Sequence, residues 1–316
     1  MHALIETILF VFGLVALGYL AALTGFLKLD VGEALTHFAV GVGLPMLLFR
    51  TVATATFGGD TPWALWITYF SSVFIAWGVA FFTLKRAFGR DDRTAMTGGL
   101  ASGFSNLLML GIPLSLGVYG QQGFTTLSLI ISIHLPIMMG LSILLFELMR
   151  PKDLHRPGMA TVLLDFGRKL LSNAIVIGIL AGLIWRFSGV PIPSFVMRFV
   201  DAFANAAVPV ALFAMGLSLR RFGIGSHLGP VLCLVGFKLF LMPAAALVIA
   251  LLLGMPPLSA KVAVLAAAIP SGINPYLIAT RFGTGQALTS NTMTMSTAFA
   301  VVTTVFWLFV AEHVFT

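Results

Sequence analysis

The sequence predicts an all-α polytopic membrane protein of ten transmembrane helices, arranged as two inverted five-helix repeats. Three observations predict it: a composition too apolar for water, ten apolar runs, and landmarks that recur about 163 residues further on. Hydrophobic residues make up 59% of the chain and charged residues 9%, with a mean hydropathy of +1.04. Soluble domains carry roughly a quarter charged residues, so a lipid bilayer is the expected surrounding. The net charge of +7 does not mark a nucleic-acid binder, because the basic residues fall in short gaps between apolar runs. The lone Cys233 lies inside such a run, which leaves neither a disulfide framework nor a thiol metal site.

A span needs about 20 apolar residues, and the chain supplies them in order. The first run lacks a basic leader and a small-residue cleavage site, so 4–26 is read as a mature helix rather than a signal peptide. Next come 34–56, with Pro45, and 63–84. The run 95–117 is interrupted, and 124–148 holds His134 and Pro136. The longest hydrophilic gap, Met149 to Lys169, divides the chain into a first repeat (1–149), a cytoplasmic linker (150–169) and a second repeat (170–316), with no soluble domain. The second half gives 170–187, 196–219, 229–253, an interrupted 260–280, and 287–311. Asn291, Thr292, Thr294 and Ser296 form a polar stripe in the last of these, suited to interhelical hydrogen bonds.

Orientation follows from counting Lys and Arg by gap. Gaps after odd-numbered spans hold thirteen: Lys28, Lys85, Arg86, Arg90, Arg93, Arg150, Lys152, Arg156, Arg168, Lys169, Arg220, Arg221 and Arg281. Gaps after even-numbered spans hold four: Arg50, Arg186, Arg198 and Lys261. The odd gaps are therefore expected in the cytoplasm and both termini outside it.

The repeat shows as paired landmarks. Pro45-Met46-Leu47-Leu48-Phe49 matches Pro209-Val210-Ala211-Leu212-Phe213. Gly111-Ile112-Pro113 before Tyr119-Gly120 matches Gly272-Ile273-Asn274-Pro275 before Phe282-Gly283. Five spans is an odd number, so the second copy enters the membrane from the opposite side, as in many secondary transporters.

The interruptions carry the functional signal. Thr97–Leu116 contains Ser105-Asn106 and Pro113; Lys261–Ala279 contains Pro270-Ser271-Gly272-Ile273-Asn274-Pro275. Proline removes a backbone donor and clashes with the carbonyl four residues back. In hydrocarbon such a break survives only inside protein or beside a water-filled cavity. Matched broken helices in two halves point to a binding site. Each break frees N–H groups suited to an anion and carbonyls suited to a cation. Asn106 and Asn274 can donate and accept, so each can contact a ligand or simply fill the backbone gap. Ser105, Ser271 and Gly272 share that neighbourhood.

Other polar residues leave two readings open. Lys238, about ten residues into a span, can attract an anion, couple to protonation, or dock on freed carbonyls. His134 can carry a proton or act as a packed hydrogen-bonding residue. Asp201 and Asn205, four apart on one helical face, form a candidate cation or proton site. Arg50 is expected to snorkel to the interface, and His37 and Glu147 to face water or headgroups. Gly98-x4-Gly103 is not followed by Gly-Lys-Ser/Thr, so it is no phosphate loop. No metal-ligand cluster or catalytic grouping is visible, so neither a cofactor nor an enzyme is expected.

The chain resembles the auxin efflux carrier family, including its bacterial malonate and organic-acid permeases, over essentially its whole length. The resemblance rests on Leu44-Pro45-x3-Phe49, Ser105-Asn106 through Gly111-Ile112-Pro113, Pro209-x-Ala211-Leu212-Phe213-x2-Gly216-x-Ser218-Leu219, Lys238-x4-Pro243 and Pro270-x-Gly272-x-Asn274-Pro275. Asn173-Ala174 departs from the Asn-Pro usual at the start of the sixth span, and the plant carriers' long central loop is missing. The resemblance implies that the broken fourth and ninth helices cross at mid-membrane. It also implies a scaffold of the first, second, sixth and seventh helices, with six others moving, and a substrate contact at Asn106.

The function expected is secondary-active transport of small organic anions by alternating access in a bacterial inner membrane. The substrate would sit near Ser105, Asn106, Pro113, Ser271, Gly272, Asn274 and Pro275, with Lys238 tuning the local potential. Coupling to H+ or Na+, or to the substrate gradient alone, stays open, as does a homodimer. A sodium-coupled bile-acid-type symporter would need carboxylates near the breaks, and the fourth and ninth spans have none. An intramembrane enzyme or receptor is the alternative of another class.

Overall fold

The computed structural model describes residues 2–55, 62–149, 159–220 and 228–316. Residues 150–158 of the expected linker, with Arg150, Lys152 and Arg156 of the orientation count, lie outside the described residues, as does Arg221.

The protein is all-α. It begins with α1 (His2–Leu23) and α2 (Leu29–Phe38), which passes through a π-turn (Ala39–Gly43) into α3 (Leu44–Thr54). Then come α4 (Trp63–Phe88) and α5 (Asp92–Gly103); a π-turn (Leu107–Gly111) then opens α6 (Ile112–Leu148). The second half holds α7 (Met159–Leu171), α8 (Ala174–Ser188) and α9 (Ser194–Leu219). It continues with α10 (Leu228–Gly236), a π-turn (Phe237–Leu241) and α11 (Met242–Leu252), then α12 (Pro257–Ala268), α13 (Asn274–Arg281) and α14 (Gln286–Val314).

Among the described residues, seven helical stretches are long and apolar enough to cross a membrane, or eight counting α7 with α8, which meet at 69°. The count is lower than ten because interrupted runs do not form one long helix. The stretch 107–148 is two helices end to end, parted by a non-helical kink at Gly120 (φ 62°, ψ −157°) between runs 95–117 and 124–148. The ninth run is split into α12 and α13 by its break.

Each π-turn ends two residues before a proline: Pro45, Pro113 and Pro243. A proline ring cannot sit under the carbonyl four residues back, and one widened turn makes room for it. For Pro243 that carbonyl belongs to Leu239, and the indole Nε1–H of Trp307 donates to it at 2.7 Å. At the start of α5, Asp91 caps the helix, its Oδ1 accepting from the N–H of Arg93 (3.1 Å) and Thr94 (3.0 Å).

The helices pack as two groups. In the first, α1 lies on α9 and α3 on α8, with α3 also against α9. The backbones approach so closely that a Cβ at Gly216 would stand 2.0 Å from the Val15 carbonyl oxygen, and one at Gly178 2.5 Å from that of Pro45. Small residues permit such packing where lipid supplies no hydrophobic drive. The second group gathers α4, α5 and α10 to α14, with α12 buried at its centre. Lys261 and Glu312 tie α12 to α14 by an ion pair of 2.7 Å.

Candidate functional site

The two breaks meet. Between α5 and its π-turn the chain extends through Phe104, Ser105 and Asn106; between α12 and α13 it extends through Ile269 to Ile273. Ser105 and Ser271 form an isolated antiparallel bridge. Asn106 N–H donates to Pro270 O at 2.9 Å, and Gly272 N–H to Phe104 O at 3.3 Å. Each break thus satisfies part of the other, answering the buried-backbone problem that any interrupted helix poses.

Lys238 completes the junction. Its fully buried Nζ donates to Ser105 Oγ at 2.8 Å and to Ala267 O, at the end of α12, at 2.8 Å; Met242 Sδ lies 3.0 Å away. This is a contact with a freed carbonyl, as in one of its three sequence readings. Tyr69, fully buried, approaches His134 Nδ1 with its hydroxyl at 3.3 Å. The Phe104 ring packs edge-on to the imidazole at 4.6 Å. Among the described residues, His134 Nε2 has no hydrogen-bond partner.

A cavity of about 260 Å³ opens beside the junction. Four sequence-selected residues line it at the breaks, Ser105, Asn106, Gly272 and Asn274, and His134 joins them. Its other walls come from both helix groups: Val40, Ile175, Val176 and Ile179 on one side, and α6 from Ile131 to Ile143 on the other. Phe166, Lys169 and Leu170 of α7 close part of it, and Asn173 and Arg281 also face it. Among the described residues, no Asp or Glu lines it.

The amides are lightly used. Asn106 Oδ1 accepts only a long contact from Met109 N–H (3.4 Å), and its Nδ2 rests 3.5 Å from Met215 Sδ, a weak acceptor. The Asn274 side chain makes no hydrogen bond among the described residues, and Asn274 opens α13, with Pro275 next to it. A carboxylate there could collect the side-chain amides, the N–H of Asn274 and the positive end of the helix dipole.

The remaining selected residues lie elsewhere. Ser271 is fully buried with its N–H on Ser296 Oγ (3.1 Å), and Pro275 is buried at the start of α13; neither lines the cavity. Pro113 lines a separate cavity of about 470 Å³ with Glu6, Thr7, Arg50 and Asn205. Asp201 and Asn205 are not at the junction. Arg50 Nη1 occupies them, at 2.9 Å from Asp201 Oδ1 and 3.1 Å from Asn205 Oδ1. Arg50 thus reaches across to α9 through a partly exposed ion pair.

The sequence pattern of the membrane transport protein family matches residues 3–308. The chain belongs to this family. A Rhizobium meliloti protein, named provisionally as a malonate transporter, is 27% identical over 307 residues, which cover 92% of this chain and 91% of its own. An uncharacterized transporter of Methanothermobacter thermautotrophicus is 23% identical, covering 96% of each chain. Auxin efflux carrier component 8 of Arabidopsis thaliana is 22% identical over 262 residues, 69% of this chain and 71% of its own. Family and relatives agree on an integral membrane transport protein rather than an enzyme.

Within this transport family member, sequence reasoning passed over three residues that face the cavity. Asn173 appeared only as a missing proline, yet its Oδ1 caps α8 through Ile175 N–H (3.0 Å). Lys169 and Arg281 were counted only as flanking charges. Their signal was available: each sits within a few residues of a break or of a helix start in the second half.

Proposed function

We propose that this protein is a secondary-active transporter of small organic anions, such as malonate or other carboxylates, working by alternating access. One arrangement carries the proposal. A helix start and the amides of Asn106 and Asn274 face one cavity that no carboxylate lines among the described residues, and that cavity lies between the two helix groups. An anion bound there touches both groups, so motion of one against the other would carry it across.

Ten crossings in two inverted repeats, 1–149 and 170–316, are part of the proposal. The packing supports it: the first run (α1) lies on the seventh (α9) and the second (α3) on the sixth (α8). A repeat that maps the first run to the sixth and the second to the seventh exchanges these two contacts. With both termini extracytoplasmic in a bacterial inner membrane, Lys169 and Arg281 lie on the cytoplasmic side and the cavity faces the cytoplasm. Toward the opposite side, Thr7 Oγ1 donates to Gly117 O (3.2 Å) and Gln121 Nε2 to Thr51 Oγ1 (3.4 Å). Outward opening would break both. Lys238 acts here as a positioning residue that holds the junction, and His134 is the candidate proton carrier.

Purified protein in liposomes should take up radiolabelled malonate saturably. Imposed proton and sodium gradients, each tested alone, would identify the coupling ion, and uptake driven by neither would identify uniport. Absence of saturable uptake of every carboxylate tried would overturn the proposal.

A further inference from the structure

The cavity has two chemically different ends. At the junction lie neutral amides and a helix start; at the border with an adjoining pocket of about 80 Å³ lie Lys169 and Arg281, which line both spaces. The carboxylates of this neighbourhood, Glu147 and Asp165, line only the adjoining pocket. Among the described residues, the main cavity is therefore lined by two cations and no acid. Among the described residues, neither Lys169 nor Arg281 forms an ion pair with a carboxylate.

Both cations are exposed side chains carried on packed helices. Arg281 ends α13, the eight-residue helix that Asn274 begins. At 1.5 Å per residue, their Cα atoms lie on the order of 10 Å apart along the axis. The Arg281 guanidinium lies at the C-terminal end of α13, at the far side of the cavity from the amides. It stands over the Phe282 ring at 5.5 Å, and Phe282 stacks on Phe146 of α6 at 4.5 Å and 10°. Lys169 rides on α7, and α7 seats Phe166 where α6 presents Gly140: a Cβ there would stand 3.1 Å from that ring.

We propose that Lys169 and Arg281 form a second carboxylate subsite, so that the transporter selects small dianions over monoanions. This rests on the reading of the cavity as an anion transport site and adds to it the charge of the cargo. One carboxylate occupies the junction, at Asn106, Asn274 and the start of α13. The other meets the planar guanidinium, whose paired donors match carboxylate geometry, with Lys169 as a further point charge. A monoanion at the junction leaves these cations without a partner when the cavity closes over them, and that unpaired charge makes the discrimination.

The test compares malonate with malonamate, its near-isostere bearing one carboxylate and one amide. Both are offered to liposomes carrying wild type, Arg281→Gln, Lys169→Gln and Arg281→Lys, and the ligand-induced rise in melting temperature is measured on the same proteins. Wild type should prefer malonate, and Arg281→Gln should lower the malonate-to-malonamate ratio of Vmax/KM at least tenfold. Lys169→Gln should lower it less, and Arg281→Lys should restore part of it. Equal loss for both anions, or an unchanged ratio, overturns the second subsite while leaving the anion transporter standing. Wild type that neither binds nor moves either compound overturns both.

Discussion

The chain runs close to itself in two places, and it manages the approach by opposite means. Where α1 meets α9 and α3 meets α8, backbone lies on backbone through glycine, and the fit is one of volume. Where the breaks meet, the approach is polar: a bridge between Ser105 and Ser271, a buried ammonium and two amides. The first contact needs each position to be small, whatever its chemistry. The second needs each donor to find its acceptor. A protein whose two helix groups slide past one another gains from this division, since a tight apolar scaffold can stay fixed while lightly used amides exchange partners.

Substitution should separate the two. The largest effect is expected at Gly216→Val, which drives a branched side chain into a carbonyl already 2.0 Å from the Cβ position. Overpacking of this kind costs about 3 kcal/mol or more, so monodisperse protein on fluorescence-detected gel filtration should be lost. Full abundance in this variant would mean that α1 and α9 are not packed as described.

Asn106→Ala should leave abundance intact and remove uptake. Hydrogen bonds to a charged group contribute about 1.5–3 kcal/mol, a loss of roughly 10- to 100-fold in Vmax/KM. Wild-type uptake at wild-type abundance would take Asn106 out of the site. Lys238→Met comes next. It keeps the length of the side chain but strands Ser105 Oγ and Ala267 O in a buried setting, at about 1–3 kcal/mol. The melting temperature should fall while the malonate-induced rise in it persists. A loss of that rise at unchanged stability would instead make Lys238 a ligand for the substrate.

The sequence exposed the backbone breaks because their cause is local. Pro270 lies in the second break, Pro275 and Pro113 sit at the starts of the helices that follow, and an asparagine beside each break advertises the need for polar partners. What it could not expose is which distant group answers. Nothing in the spacing says that Lys238 docks on Ala267, or that Arg50 reaches Asp201, 151 residues away. Composition also hid the roles of Lys169 and Arg281, because a basic residue that fixes orientation and one that faces a cavity look alike in a charge count. Gly120 was legible as a repeat landmark but not as the non-helical kink that parts the fourth run from the fifth.

The smallest expected effect sharpens the comparison within the polar region itself. Pro243 displaces the carbonyl of Leu239 from its helical partner, and Trp307 of α14 supplies the replacement donor at 2.7 Å. Trp307→Phe keeps an aromatic ring against the same wall and removes only the N–H. A buried carbonyl left without a partner costs about 1–3 kcal/mol. The π-turn can return part of this by tightening, so a loss near 1 kcal/mol is expected, read as a modest drop in melting temperature. Because Leu239 and Trp307 do not line the cavity, KM for malonate should stay within twofold of wild type. A larger change in KM than in stability would show that the π-turn before Pro243 moves with substrate, and that the widened turns belong to the sliding machinery rather than to the accommodation of proline.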